Sequence, residues 1–480
     1  MNIFDLSKEG RKGVKLPKND INTKVKIPDN LKRKKDAKLP ELSELDVVRH
    51  FTRLSSKNFS IDKNFYPLGS CTMKYNPKIE EKAAALEKFS NVHPMTVSND
   101  IMLKDIQGSL EVIDMSEKLL CEITGMDAFT LMPQAGAHGE MTGIMLIDAY
   151  HKSKGNKKRY VIVPDSSHGT NPATAAMVGY EVITVKSDKE GVMNLEEFKN
   201  AMSDEVAAVM LTVPNTLGLF NPYIKEICDI AHSHDALMYY DGANLNAILG
   251  IVRPGDLGFD VTHLNLHKTF ATPHGGGGPG SGPVGVKEFL REFLPNLQIE
   301  KENGYYKIKK PIKTSIGRVS PFFGNYMVTL RALVYILIVG GEGLKNVSKK
   351  AVLNANYIRT KLKKYYDMPY DKPCMHECVL SAKTLAKEYG VKALDIAKYL
   401  LDFDLHAPTI YFPLIVKEAM MIEPTETESK ESIDYFCKKM IDASVLAREN
   451  AESFKDFPKT TPVSRPNETK AARELDICQK

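Results

Sequence analysis

His263-Leu264-Asn265-Leu266-His267-Lys268-Thr269-Phe270 runs on through Pro273 into four consecutive glycines, Gly275 to Gly278. An apolar run that stops at a lysine, with glycines behind it, predicts a core strand over Val261–Leu266. That strand delivers an amine to a loop that bends sharply or passes close to a ligand. A lysine at the end of a buried strand is poorly hydrated. It gives up its proton more readily than a surface lysine and can attack a carbonyl carbon.

Working outward, the chain alternates between two periods. Short apolar runs predict strands at Ala128–Met132, Tyr160–Val163, Glu181–Val185, Ala207–Val213 and Leu237–Tyr240. Helical spacing separates several of them, as at Asp114–Thr124, Leu195–Met202 and Ile224–His232. Strands alternating with helices imply an α/β fold with a mostly parallel, doubly wound sheet. Ligands of such sheets sit outside the carboxyl ends of the strands. The residues that follow these strands are Gln134 to Ala137, Asp165 to His168, Asn215, Asp241, and His267 with Lys268. Polar and small groups therefore gather on one edge. Beyond Gly285–Val286, one further strand, the pattern changes. Met327–Val339 reads as a buried helix. Ala351, Ala355, Ile358 and Leu362 mark one face of another. The expected organisation is an N-terminal arm (1–60, with a helix near Glu41–Leu54), a large domain (61–330), a smaller C-terminal α+β domain (331–455) and a tail (456–480).

Composition bounds the class. The chain has 480 residues, 43% of them hydrophobic and 26% charged, enough for a sizeable core. A net charge of +5 is small for this length and does not imply nucleic acid. The basic residues between Lys8 and Lys38 form a cluster, but no aromatic side chains interleave with them as single-strand stacking requires. Ala332 to Gly341 is the longest apolar run and is about half of a bilayer span. With acidic Asp5 and Glu9 near the start and seven scattered cysteines, the expectation is a cytoplasmic enzyme away from any membrane.

Asp241 closes the Leu237–Tyr240 run and precedes Gly242-Ala243. A carboxylate there can pair with a ring nitrogen and keep it protonated, which makes a pyridine an electron sink. An aspartate after a strand is also a common helix cap. Lys268 lies one β-α-β step downstream, where the next strand ends beside the first. The pair points to pyridoxal phosphate, held by Lys268 as a Schiff base. Gln134 to Gly139 is the phosphate candidate, because small residues that open a helix offer free N–H groups to an anion; an ordinary strand-to-helix turn has the same letters. His168 could stack on a cofactor ring and move protons, or serve as a plain hydrogen-bonding residue. Two motifs are rejected. Gly280-Ser281-Gly282-Pro283-Val284-Gly285 matches the dinucleotide fingerprint but leads into a strand rather than a helix. Cys374-Met375-His376-Glu377-Cys378 offers metal-ligand types with no clear fourth partner, so two half-buried cysteines and no metal are expected.

Five pieces in order then carry a resemblance: Pro67-Leu68-Gly69-Ser70-Cys71-Thr72-Met73-Lys74, Ser167-His168-Gly169-Thr170-Asn171-Pro172-Ala173, Asp241-Gly242-Ala243-Asn244, Asn265-Leu266-His267-Lys268-Thr269-Phe270, and Met421-Ile422-Glu423-Pro424-Thr425-Glu426-Thr427-Glu428-Ser429-Lys430. The sequence resembles the glycine dehydrogenase (decarboxylating) family, the P-proteins of the glycine cleavage system. It is most similar to the cofactor-bearing second subunit of the two-subunit bacterial form. The resemblance implies fold type I of the pyridoxal-phosphate enzymes, with Lys268 as the Schiff-base lysine, Asp241 at the pyridine nitrogen, His168 stacked on the ring and Ala243 on its other face. Gly136 and Ala137, with His267, would hold the phosphate. Family members often read Ser-Gly-Ala-Gln at that loop; Ala135-Gly136-Ala137-His138 here lacks the hydroxyl. The implied reaction is decarboxylation of glycine with transfer of the aminomethyl group to the lipoyl arm of H-protein. The implied partner is a first subunit, in an α2β2 heterotetramer. The Ser70–Lys74 and Glu423–Lys430 stretches would help line the lipoyl channel. The alternative is another fold-type-I enzyme, such as a stand-alone amino-acid decarboxylase or a cysteine desulfurase, which shares the Asp–Lys pair without the five pieces.

Overall fold

A computed structural model of the chain describes residues 2–18, 20–21, 26–98, 101–275 and 280–476. The last three of the four glycines, 276–278, lie outside the described residues. The chain forms two compact units, residues 1–63 with 461–480, and residues 64–460. In the first, the helix Glu44–Ser55 starts at a capping box in which the Ser43 side chain and Asp46 satisfy each other's backbone amides. Arg11 pairs with Asp46 at 2.7 Å, and Leu45, Val48 and Phe51 stay exposed.

The second unit is built on a seven-stranded sheet. Its strands are β1 (Ala128–Thr130), β2 (Tyr160–Pro164), β3 (Glu181–Val185), β4 (Val206–Thr212), β5 (Leu237–Gly242), β6 (Val261–Leu264) and β7 (Val284–Val286), in the order β1-β7-β6-β5-β4-β2-β3. Strands β2 to β6 pair in parallel; β7 runs antiparallel between β1 and β6. Burial on both faces explains why β2, β4 and β5 are almost continuous apolar runs. Successive residues serve opposite faces: Ile162, Val209, Leu211, Met238 and Tyr240 enter one apolar cluster, and Val161, Val163, Ala208, Met210 and Tyr239 enter another. Each such side chain contributes about 1.5–3 kcal/mol of burial.

Three details depart from the expectations. β6 stops at Leu264, not Leu266, because its partner β7 begins at Val284, opposite His263. Asn265 then takes the Lys268 amide on its carbonyl (3.0 Å), and Leu266–Thr269 becomes a single helical turn that carries the lysine. The helix before β1 starts at Gln107 rather than Asp114, since Leu110 and Ile113 extend its buried face. A hairpin, β8 (Ile299–Glu302) and β9 (Tyr305–Ile308), was not anticipated.

A three-stranded antiparallel sheet follows: β10 (Cys378–Ser381), β11 (Thr409–Ile410) and β12 (Ala419–Ile422), with β12 central. Cys374 and Cys378 are fully buried, not half-buried, because Tyr366, Leu380 and Phe436 pack in the same apolar cluster. The helix Tyr326–Leu362 is long and apolar enough to cross a membrane by length and composition alone. It is broken at Gly340 (φ 66°, ψ 171°), and Leu330, Leu333, Tyr335 and Ile336 are buried within the protein.

Candidate active site

Sheet register sets the centre of the site. Thr212 on β4, Asp241 on β5 and His263 on β6 stand directly opposite one another at the carboxyl end of the sheet. Asp241 is buried. It accepts hydrogen bonds from Thr212 Oγ1 (3.1 Å), Asn171 Nδ2 (3.3 Å) and the Ala243 amide (3.0 Å). His263 Nε2 lies 3.5 Å away, and its Nδ1 meets the Tyr239 hydroxyl at 2.8 Å. Burial alone would raise the Asp241 carboxyl. His263, the Ala243 amide, Lys268 and Thr212 outweigh it, and the pKa falls below its ordinary value. A carboxylate is thus held ionised inside the protein.

A cavity of about 200 Å³ opens beside it. All seven residues singled out in the sequence line this space: Gly136, Ala137, His168, Asp241, Ala243, His267 and Lys268. The Lys268 amine has no hydrogen bond or ion pair among the described residues. His267 is driven down to about 3 by burial and by neighbouring His274 and Lys268, so it is neutral at physiological pH. Burial also lowers His168, with Asp241 opposing.

The donor set suits pyridoxal phosphate. The helix Gly136–Lys154 begins at the cavity with no side chain capping its first amides, which leaves them free for an anion. A Cβ at Gly136 would stand 2.4 Å from the Asn265 side-chain oxygen, so a larger residue there would have to displace Asn265. His267 Nδ1, Asn265 Oδ1 and Glu140 Oε2 are buried without a hydrogen-bond partner, and a polar ligand in the cavity would relieve that cost.

Several lining residues were not foreseen. Glu140 sits one helical turn after Gly136, which brings it to the same side. Its pKa rises to about 8 through burial and the nearby Asp241 charge. Thr170 Oγ1 donates to Glu140 Oε1 at 2.9 Å. Ser70, Thr216, Asn244 and Asn265 complete the walls.

The Ser70 loop is held from afar. Ser70 and Thr72 adopt positive φ (64° and 48°). The Ser70 amide donates to Glu377 Oε2, and the Thr72 amide and hydroxyl donate to Glu423, at 2.9, 2.9 and 2.6 Å. Glu377 lies just before β10 and Glu423 just after β12, so the pairing of those strands sets them side by side. With His376 they form one buried cluster with metal-ligand atoms within 4.8 Å of one another. Both carboxylates already grip the loop, and burial raises both, Glu423 to about 7. Lys74 reaches four partners: Asn246 Oδ1 (3.1 Å), the Thr269 carbonyl (2.6 Å), Tyr335 (3.2 Å) and Glu426 (2.8 Å). The turn that carries Lys268 is thereby tied to the loop at 70–74.

The family model for the glycine cleavage system P-protein matches residues 14–298, and that for the glycine dehydrogenase C-terminal domain matches residues 347–459. The chain is 56% identical over 476 residues to the probable glycine dehydrogenase (decarboxylating) subunit 2 of Thermosipho melanesiensis, covering 99% of this chain and 98% of that protein. It is 54% identical over 475 residues to its counterpart in Thermotoga maritima, with the same coverage. Among solved structures, an inhibitor-bound glycine decarboxylase (P-protein) of the glycine cleavage system superposes with a TM-score of 0.71 at 20% identity, over 87% of this chain and 93% of that one. The apo cysteine desulfurase of Thermococcus onnurineus superposes with a TM-score of 0.61 at 16% identity, over 80% and 95%, which shows a shared fold. The fold is that of fold-type-I pyridoxal-phosphate enzymes, and the chain belongs to the glycine dehydrogenase (decarboxylating) family, the P-proteins of the glycine cleavage system.

Proposed function

We propose that Lys268 carries pyridoxal phosphate covalently through Nζ, with Asp241 at the ring nitrogen, His168 and Ala243 on the two ring faces, and Gly136, Ala137 and His267 at the phosphate. The observation that carries this reading is the meeting of an unpaired lysine amine and a buried, ionised aspartate in one cavity at the carboxyl edge of the sheet. The family is pyridoxal-phosphate-dependent and decarboxylates glycine. When bound, that cofactor takes up the electrons left behind as the glycine carboxylate departs as carbon dioxide.

The residues of this chain supply the setting. Asp241 stays ionised and holds a proton on the ring nitrogen. Neutral His267 offers a hydrogen bond without adding charge. The helix amides at Gly136 neutralise the phosphate through their dipoles. Asp241, Asn244, His263 and Asn265 are buried, which strengthens the interactions at that end of the cavity. The aminomethyl group passes to the lipoyl arm of H-protein, and the Ser70–Lys74 and Glu423–Lys430 segments help to line its route. The relatives are named as a second subunit. By that likeness, this chain works with a first subunit, in an α2β2 assembly. The cysteines among the described residues are all free thiols, which suits a reducing compartment and so a cytoplasmic enzyme.

Two measurements test the reading. Lys268→Ala removes the visible absorbance of the bound cofactor; a variant that keeps it means that another residue holds the group. Glycine–bicarbonate carbon exchange by the chain with its first subunit depends on lipoylated H-protein. Exchange at full rate without H-protein would favour a stand-alone decarboxylase.

A further inference from the structure

Among the described residues, Glu140 is the one carboxyl group besides Asp241 that lines the cavity. It is buried, and its Oε2 is unpartnered. Oε1 lies 2.9 Å from the Thr170 hydroxyl. The same hydroxyl lies 3.0 Å from Nδ1 of His168, and the Thr170 amide nitrogen is 3.4 Å from that nitrogen. A carboxyl, a hydroxyl and an imidazole thus form an unbroken chain from inside the protein to the cavity. It is held by the contact between the helices Gly136–Lys154 and Thr170–Val178.

Two buried carboxyl groups in one cavity do not both stay charged cheaply. Asp241 has three donors and Glu140 has one hydroxyl, so the resting proton belongs to Glu140. With Glu140 protonated, its O–H donates to Thr170 Oγ1. The Thr170 hydroxyl then donates to Nδ1, and the Thr170 amide faces that lone pair. In the second state the hydroxyl has turned to donate to a Glu140 carboxylate, and Nδ1–H donates to Oγ1. The two states differ by one proton moved from carboxyl to imidazole, and nothing is oxidised or reduced.

We propose that Glu140, Thr170 and His168 form a proton relay, in which Glu140 is a positioning residue that supplies Nδ1 of His168 from within the protein and leaves Nε2 to the bound ligand. The use of the relay rests on assigning this cavity to the cofactor. Its existence does not depend on the substrate being glycine. The charged and titratable groups that act on His168 are Asp241 and Lys268, and His263 lies within its electrostatic reach; Phe412 meets the ring edge-on at 5.7 Å. Those around Glu140 are Asp241, Lys268 and Tyr239.

The test uses the cofactor-loaded protein with ¹⁵N-labelled histidine rings, the His168 signal being identified by its loss in His168→Asn. With Glu140 protonated, Nδ1 of His168 accepts from the Thr170 hydroxyl; when Glu140 loses its proton near pH 8, the hydroxyl turns to the carboxylate and Nδ1 loses that bond. The Nδ1 signal of the native protein therefore steps through that pH range. Glu140→Gln removes the titrating carboxyl and Thr170→Val cuts the chain, so each abolishes the step, while Thr170→Ser keeps it. A native protein without the step, or a step that survives in Glu140→Gln or Thr170→Val, overturns the relay. If Thr170→Val does not fold, Glu140→Gln and Thr170→Ser decide: a step in Glu140→Gln, or none in Thr170→Ser, overturns it. The readout is independent of decarboxylation, so a failure here is separable from a wrong substrate.

Discussion

At the scale of single residues, the protein keeps several carboxyl groups out of water. Glu80 shows the consequence most simply, because it stands apart from the cavity. It is buried, and neither of its carboxylate oxygens has a hydrogen-bond partner among the described residues. Burial raises its pKa to about 8, with Lys74 and Arg331 opposing. The unfolded chain loses this proton near the ordinary value of 4.5, while the folded chain keeps it up to about 8. Between those values the folded state binds more protons, so stability falls as pH rises through that window. Glu80→Gln removes the penalty. Urea unfolding at pH 5 and pH 8 should show the variant gaining on the native protein by about 2 kcal/mol at the higher pH, counting 1.36 kcal/mol per pKa unit and discounting for partial solvent access. An equal difference at both values would show that Glu80 is ionised in the fold. Residues of this kind were hidden in the sequence. Asp241 and Lys268 were legible because they stand where apolar runs stop. Glu140 and Thr170 were not, since a carboxylate or a hydroxyl within a helix has the same letters as a solvated face.

At the scale of elements, helices and strands were readable wherever burial follows one period. The strand Glu181–Val185 was placed residue for residue, and β4 and β5 within one or two. β6 was drawn too long because Leu266 stays apolar after the backbone has turned. The β8–β9 hairpin carried its signal in plain view: Asn303-Gly304, both at positive φ (51° and 82°), is the pair that a tight hairpin turn prefers. The long helix after Asn325 was read as two, and its break at Gly340 agrees with that division. The Gly340 backbone lies in a region that only glycine occupies readily, and no atom stands within 4 Å of the position that a Cβ would take. Gly340→Ala therefore costs about 1–3 kcal/mol by backbone strain alone, measured as a lower urea midpoint with an unchanged slope. A variant as stable as the native protein would mean that the two halves have joined into one straight helix.

At the scale of the whole molecule, the site depends on contacts that no local pattern encodes. The Ser70–Lys74 loop, the ends of β10 and β12 and the Lys268 turn are far apart in sequence: Thr72 and Glu423 are 351 positions apart, and Lys74 and Glu426 are 352 apart. A motif can mark such pieces without showing that two carboxylates hold the backbone of a third. Lys74 is where these threads meet, and its ion pair with Glu426 is buried. Lys74→Met strands that carboxylate and frees the Thr269 carbonyl. Breaking a buried pair from one side costs about 3–5 kcal/mol. The expected outcome is a lowered Tm and weaker retention of the cofactor on dialysis, with Lys74→Met/Glu426→Gln recovering part of the loss. A single variant with native Tm would remove Lys74 from the support of the site.

The same tether sets an order of events during synthesis. A nascent chain that has reached Glu418 already contains every residue that lines the cavity, including the lysine. It does not yet contain Glu423 or Glu426, so Glu377 can hold Ser70, but Thr72 has no latch and nothing answers the charge on Lys74. The pocket is complete on paper long before it is complete in the cell. Tight capture of the cofactor thus reports that the far end of the fold has arrived, and a ribosome-stalled chain that stops short of Glu423 should remain colourless.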